Sequence, residues 1–490
     1  MNKKITLLTI ALALGASAVS AQSNHKSFEE FRSGIKGNFN AFRKTILDNY
    51  ADFLEGEWHP YKSLNGELRD RTPKPSEAPQ VPGTPKALPQ TTPTPQTTPT
   101  PQTTPTPPIP PIPPIIPDTP ESDGSFAFSW YNIPTQLPAI DYHISHRLSE
   151  PADFARQWRE LDGARVADRL LPGIKSAVKE LGLNDYLTYK YIESYINARF
   201  PEATPSSRMA AVHYLLANLG YDARIAVTSS GIPLLLLPCQ QTMYARNYLT
   251  IGDGKYYIFA PEDYDMSRLG SERILTCNLP ADAAKAAKFD LVLGQLNIPV
   301  AEHPFDLNYG DLHLTGSVNA NLIPILYKYP QMPVSDYARS NIAPQLRNDL
   351  IRQVRQQLGQ MNSDDAVEAL LTFMHGAFEY ATDEENHGFE KPYFLEETLY
   401  YPKNDCEDRA IFYTWLVWNA LGHEAQLISF PGHEAAAVRL DHPLNGASYV
   451  DDNTVYYISD PTYIGSRTGM VMPVYNGTSP RIDYTYKNND

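Results

Sequence analysis

Between Pro73 and Pro120 nearly every second or third residue is proline, with QTTPTP three times in succession from Gln90 and then PPIPPIPPIIP. Proline fixes φ and removes an N–H donor, so such a stretch packs no core and reads as a semi-rigid polyproline II spacer. At about 3.1 Å per residue it spans more than roughly 100 Å when extended. The chain is thereby divided before any other pattern is considered, and much of its total of 43 prolines is accounted for. The remaining composition is globular, at 42% hydrophobic and 11% aromatic over 490 residues. About three units are expected at this length. The formal charge of -15 excludes nucleic acid and anionic membranes as partners, since both need a clustered basic face.

The first residues read as an export signal. Met1-Asn2-Lys3-Lys4 is a positive n-region, Ile5 to Gly15 an apolar core, and Val19-Ser20-Ala21 a small-residue cleavage pattern, so residues 1–21 are a signal peptide. The apolar run is too short to span a bilayer, which needs about 20 residues. No cysteine follows it, so there is no lipobox. The expectation is a periplasmic or secreted protein with no integral membrane segment.

Residues 22–71 carry an eleven-residue repeat. Phe28, Phe39, Tyr50 and Tyr61 recur at that interval, as do Phe31, Phe42 and Phe53. The period gives 3.67 residues per turn, close to a straight helix, and predicts one aromatic stripe on an amphipathic helix of about 30 residues. That stripe is expected to dock on the chain or to self-associate through residues 28–61. The Pro/Thr-rich linker is placed at 72–123 and two α+β domains at 124–300 and 301–490.

Those two domains look alike. Each runs helix, helix, helix and then strands, and SSRMAAVHYLLANLGYDARIAV lies beside CEDRAIFYTWLVWNALGHEAQLISF. The reading is an internal duplication whose first copy has Ser206 or Ser207 near the place of Cys406 and Pro261 near that of Asp460, and so lacks the chemistry of the second.

There are 3 cysteines. In an oxidising compartment an odd count leaves at least one thiol unpaired. Cys239 and Cys277 lie in apolar settings and are the candidates for a disulfide. Cys406 lies among charges in KNDCEDRA, at the start of an apolar helix. A helix N-terminus stabilises thiolate over thiol and offers N–H groups to a developing oxyanion. His433, opening a strand of small residues, and Asp460, ending VYYISD before Pro461, are a suitable base and orienting group.

The order Cys406 in NDCEDRA, His433 after a glycine at a strand start, and Asp460 in the Asp-Pro of YYISDPTY resembles the transglutaminase-like superfamily of papain-type fold. The resemblance covers roughly residues 365–466. The segment DCEDRA is similar to bacterial transglutaminase-like cysteine proteinases, and the chain as a whole is similar to exported transglutaminase-like proteins of the Bacteroidetes. The resemblance implies an α+β papain-like core, with Cys406 as nucleophile, His433 as base and then acid, and Asp460 as the group that orients the imidazole. It implies a second oxyanion donor from upstream, with Tyr400, Tyr401 and Asn404 as candidates. It also implies that Asp405, Glu407 and Asp408 are candidate calcium ligands, the alternative being that they cap the helix and pair with Arg409. The family's aromatic after the histidine is missing here, since His433 is followed by Glu434 and Ala435. The chemistry itself needs no cofactor. The expected function is hydrolysis of an amide bond in a protein or peptide substrate through a thioester. The alternatives are acyl transfer to a lysine amine, which cross-links proteins, and an inactive binding protein of the envelope.

Overall fold

The computed structural model describes residues 47, 49–69, 74–84 and 124–487, apart from 143, 145–147, 149, 262–263, 278 and 280–286. The signal peptide, most of the eleven-residue repeat and residues 85–123 of the linker lie outside the described residues. Residues 51–490 form one compact unit; of the preceding fifty, only Leu47, Asn49 and Tyr50 are described. No helix among the described residues is long and apolar enough to cross a membrane.

The fold is mixed α+β with antiparallel sheets. Its first strand corrects the repeat reading. A short helix, Tyr50–Glu55, stops before Gly56, and Trp58–Lys62 is a strand, β1, rather than more helix. Pro60 cannot continue a helix, and it is tolerated here because β1 is an edge strand. A hairpin follows the linker, β2 (Ser125–Trp130) and β3 (Ile133–Pro138).

Helices α1 (Pro151–Gly163) and α2 (Val166–Leu181) follow. Between them Arg165 takes φ 55, a left-handed conformation that breaks the run. Next come α3 (Asp185–Arg199) and α4 (Pro205–Leu219), the latter closed by Gly220 at φ 101. Glycine carries no penalty there, which is why it ends the helix. The strands β4 (Arg224–Thr228), β5 (Pro233–Pro238), β6 (Tyr248–Ile251), β7 (Gly254–Phe259) and β8 (Arg273–Cys277) complete this half. They join β1 in a sheet of order β1-β8-β4-β5-β7-β6.

A hairpin, β9 (Glu302–Tyr309) and β10 (Leu312–Asn319), opens the second half. It is followed by α5 (Pro344–Leu358), α6 (Ser363–Gly376), the short α7 (Leu395–Tyr400) and α8 (Cys406–Leu416). A π-helical turn extends α8 to Leu421, and Gly422 at φ 80 ends it. Then come β11 (Ala425–Phe430), β12 (His433–Val438), β13 (Ser448–Asp451), β14 (Thr454–Ile458) and β15 (Arg481–Tyr486). Their sheet runs β15-β11-β12-β14-β13.

Without β1, the first sheet is β8-β4-β5-β7-β6. In both halves the spatial order is therefore the fifth, first, second, fourth and third strand to appear in the chain, after a buried helix. The strand order of the two halves thus matches across the whole sheet, beyond the stretches that align in sequence. Every residue of α8 is buried, as expected of a helix apolar nearly all round. It packs on β12, whose six residues are buried too. The run of three alanines at 435–437 leaves room for that helix.

Candidate active site

Cys406 opens α8, His433 opens β12 and Asp460 lies two residues past β14. Because α8 packs across β12, and β14 pairs with β12 through Ala437↔Ile458, three residues scattered over 55 positions meet. His433 Nε2 is 2.7 Å from Asp460 Oδ2. The backbone N–H of Glu434 points at Cys406 Sγ, 3.5 Å away, so the thiol lies against the His433–Glu434 peptide. The other ring nitrogen, Nδ1, is buried and has no hydrogen-bond partner among the described residues, which leaves it available to take a proton.

Asp460 is held at both oxygens. Oδ1 accepts the N–H groups of Thr462 at 2.9 Å and Tyr463 at 3.2 Å, the turn that Pro461 allows. Burial pushes its carboxyl pKa up, but the charge and hydrogen bond of His433 and the Thr462 amide outweigh this and leave it below the ordinary value. Asp460 is therefore ionised and fixes the imidazole. Behind it, the Asp460 carbonyl lies 3.1 Å from His375 Nε2, whose pKa burial lowers.

The expectation that helix position alone prepares a thiolate is not met. Cys406 is 1% exposed, and burial, followed by the charges of Glu407 and Asp405, pushes its pKa well above the ordinary thiol value. The protonated thiol points to Glu407 Oε2 at 3.2 Å. In a dry site beside two carboxylates the helix end is overruled by desolvation and like charge. Nor is the cysteine at a loosely packed cleft edge.

The acidic residues flanking Cys406 do not pair with Arg409. Arg409 donates to Asn404 Oδ1 at 2.8 Å and to the Phe378 carbonyl at 3.0 Å. Asp408 accepts the backbone N–H groups of Tyr393 at 2.8 Å and Asp405 at 3.2 Å, a capping role. The cationic partners of Asp405 and Glu407 come from more than 300 positions away. Lys74 Nζ is 2.8 Å from Asp405 Oδ2 and also bonds Glu407, while Arg69 bonds Glu407 and, at 2.5 Å, Glu390. Burial pushes the Glu407 carboxyl up, but Arg69 and Lys74 hold it well below the usual range. Ligand oxygens of Asp383, Asp405 and Asp408 lie within 4.8 Å of one another, as do those of Asp383, Glu390 and Glu407. Such an all-oxygen set suits a hard cation. Lys74 and Arg69 supply the positive charge there.

The oxyanion candidates divide. Tyr400 packs its ring on His303 at 4.4 Å and Tyr401 on Tyr393 at 5.1 Å, contacts that give both tyrosines a packing role. Asn404, two residues before Cys406, is fully buried, and its Nδ2 has no partner among the described residues. It is a donor the site has to spare, as is Nη1 of Arg409.

Sequence reasoning missed Tyr475 and Tyr380. Tyr475 stacks on His433 at 6.0 Å and 9° and on Phe430 at 4.6 Å and 12°, so an aromatic ring covers one face of the imidazole. It arrives from a loop beyond β14, where no motif marks it. Lys74, Arg69, Asp383 and Glu390 were missed because no periodicity links them to the Cys406 motif. Cys239 and Cys277 do not pair, and no disulfide forms among the described residues. Cys239 directly follows β5 and Cys277 ends β8, and these two strands lie on opposite sides of β4.

In the first half, Ser206 and Ser207 open α4, and β5 begins with Pro233 where β12 begins with His433. Ser207 is fully buried. A cleft of about 240 Å³, lined by Glu193, Pro205, Arg208, Leu235 and Pro261 among others, lies beside the start of α4.

No family model matches this chain, and a search of curated proteins finds no similar sequence.

Proposed function

We propose that this chain is an exported cysteine hydrolase of the transglutaminase-like kind with a papain-like core, acting on an amide bond of a protein or peptide. The observation that carries the reading is the ordered pair His433–Asp460 at 2.7 Å with the thiol of Cys406 against the next peptide. A cysteine, a histidine with one nitrogen anchored and one unpartnered, and an ionised aspartate form a nucleophile, a base and a positioner.

The chemistry follows from those roles. His433 Nδ1 takes the thiol proton as Cys406 Sγ attacks the amide carbonyl carbon. N–H groups at the start of α8 and the Asn404 amide stabilise the oxyanion. The C–N bond breaks, His433 returns its proton to the leaving amine, and a thioester remains. Water then attacks the thioester, giving a proton to His433. The C–S bond breaks, a carboxylic acid leaves and the thiol is restored. A primary amine in place of water would give acyl transfer instead.

The test is a cysteine-directed acyloxymethyl ketone probe on the mature protein, with the adduct mapped by mass spectrometry. Adducts at Cys406 are expected, and His433→Ala should slow them by about 10²- to 10⁴-fold, the contribution of a positioned general base. Equal labelling in wild type and His433→Ala would refute the reading and favour a binding protein with a relic site.

A further inference from the structure

The acidic pocket beside Cys406 is lined by Asp383, Glu390, Asp405 and Glu407, and three of these are buried. Asp405 has one oxygen on Lys74, while the other, Oδ1, is buried without a hydrogen-bond partner among the described residues. Four carboxylates in one dry place repel each other unless cations enter. The cations that do enter are Arg69 and Lys74, each with a side chain only 7% exposed. They come from a stretch that belongs to neither half of the duplication.

Residues 74–84 then run on over the site. The Tyr380 hydroxyl donates to the Pro75 carbonyl at 2.7 Å. Val81 donates its N–H to Ile464 at 3.0 Å, and Ile464 donates back to Pro79 at 2.8 Å. Thr84 lies so close to Gly465 that a Cβ there would stand 2.4 Å from its Oγ1. The segment is thus anchored at Tyr380, whose electrostatic neighbours include Cys406, and at Ile464, four residues after Asp460. Beneath it Cys406 and His433 are 1% and 3% exposed. A chain segment that lays a basic side chain in a subsite beside a nucleophile has the form of a bound substrate. Pro75, Pro79 and Pro82 restrict its backbone in advance and lower the cost of holding it there.

We propose that the pocket of Asp383, Glu390, Asp405 and Glu407 is a subsite for a basic side chain of the substrate, and that Arg69 with residues 74–84 fills it in cis as a pseudosubstrate. This rests on Cys406 being the nucleophile. A peptide bearing lysine or arginine competes with the strap, and the apparent reactivity of the site is reduced by the fraction of molecules with the strap in place.

The test uses the full mature chain and a set of acyloxymethyl ketone peptides that differ only in carrying lysine or glutamate at either of the two positions before the warhead. Two variants release the strap by different means. Arg69→Gln/Lys74→Gln removes the charges. Val81→Pro removes the N–H that bonds Ile464 and leaves the pocket untouched, so it serves if the first variant fails to fold. Both should label Cys406 about tenfold faster than wild type or more. The lysine probe should outpace the glutamate probe, and Glu407→Gln combined with Val81→Pro should erase that preference.

Equal rates for wild type and Val81→Pro, or no preference for lysine, would overturn the proposal while leaving the His433-dependent labelling of the catalytic reading intact. A rate that rises on adding calcium, with no lysine preference, would overturn it in favour of a metal site. Labelling that is independent of His433 in every variant would remove the catalytic reading and this one with it.

Discussion

Glu396 shows how far burial governs the ionisable groups of the second half. It lies on α7, 5% exposed, and accepts the Ala343 N–H at 3.1 Å. Burial raises its pKa to about 7. A carboxyl raised in the folded state stays protonated there while the unfolded chain has already released its proton. Stability from this group is therefore full below about pH 4.5 and falls as the pH climbs towards 7. Glu390, also raised to about 7 by burial and then by Glu407, adds a slope of the same sign. Thermal unfolding between pH 5 and 8 should show wild type falling behind Glu396→Gln as the pH rises. Glu396→Gln should lose less and gain up to about 3 kcal/mol over wild type at pH 8. Parallel curves for the two proteins would contradict the assignment. The same balance explains Cys406, where a helix N-terminus is too weak to offset desolvation beside two carboxylates.

At the scale of elements, chain turns are set where glycine is the residue that fits. Gly182 ends α2 with φ 71, and a Cβ there would stand 2.1 Å from the Gln295 carbonyl oxygen. Both the backbone conformation and the contact forbid a side chain, and neither partner is a flexible tip that can swing away. Gly182→Ala should destabilise by about 1–3 kcal/mol, read as a fall in the urea midpoint. His433-dependent labelling of Cys406 should be unchanged, since Gly182 lies in the other half. An unchanged midpoint would show that the α2 end relaxes freely.

Over the whole molecule, the two halves share one core. Tyr329 of the second half receives a hydrogen bond from Asn184 Nδ2 at 2.6 Å and donates one to the Leu291 carbonyl at 2.7 Å, and its ring lies 5.1 Å from that of Tyr186. Tyr244 N–H reaches the Gln331 carbonyl at 3.0 Å and Asn341 N–H the Leu293 carbonyl at 2.9 Å. Such bonds cross residue 300, where the boundary between the two domains is expected. Equilibrium unfolding should give one transition, coincident by circular dichroism and tryptophan fluorescence. Two separated transitions would show instead that the halves unfold one by one.

What the chain determines by itself is local. Apolar periodicity and Gly220 and Gly422 as helix ends mark α3, α4, α8 and most strands of both sheets, because each signal lies within a few residues of the element it ends. The trio of Cys406, His433 and Asp460 was legible for the same reason: each stands at the end of a readable element, and adjacent strands must lie side by side. Tertiary structure alone decided the rest. Trp58 to Lys62 follows a helical repeat yet becomes a strand because β8 offers an unpaired edge. Tyr475, Arg69 and Lys74 enter the site from loops with no pattern of their own. The protonation of Cys406 depends first on burial, which is a property of the assembled fold, and then on the adjacent Glu407 and Asp405, with Lys74 from more than 300 positions away opposing it.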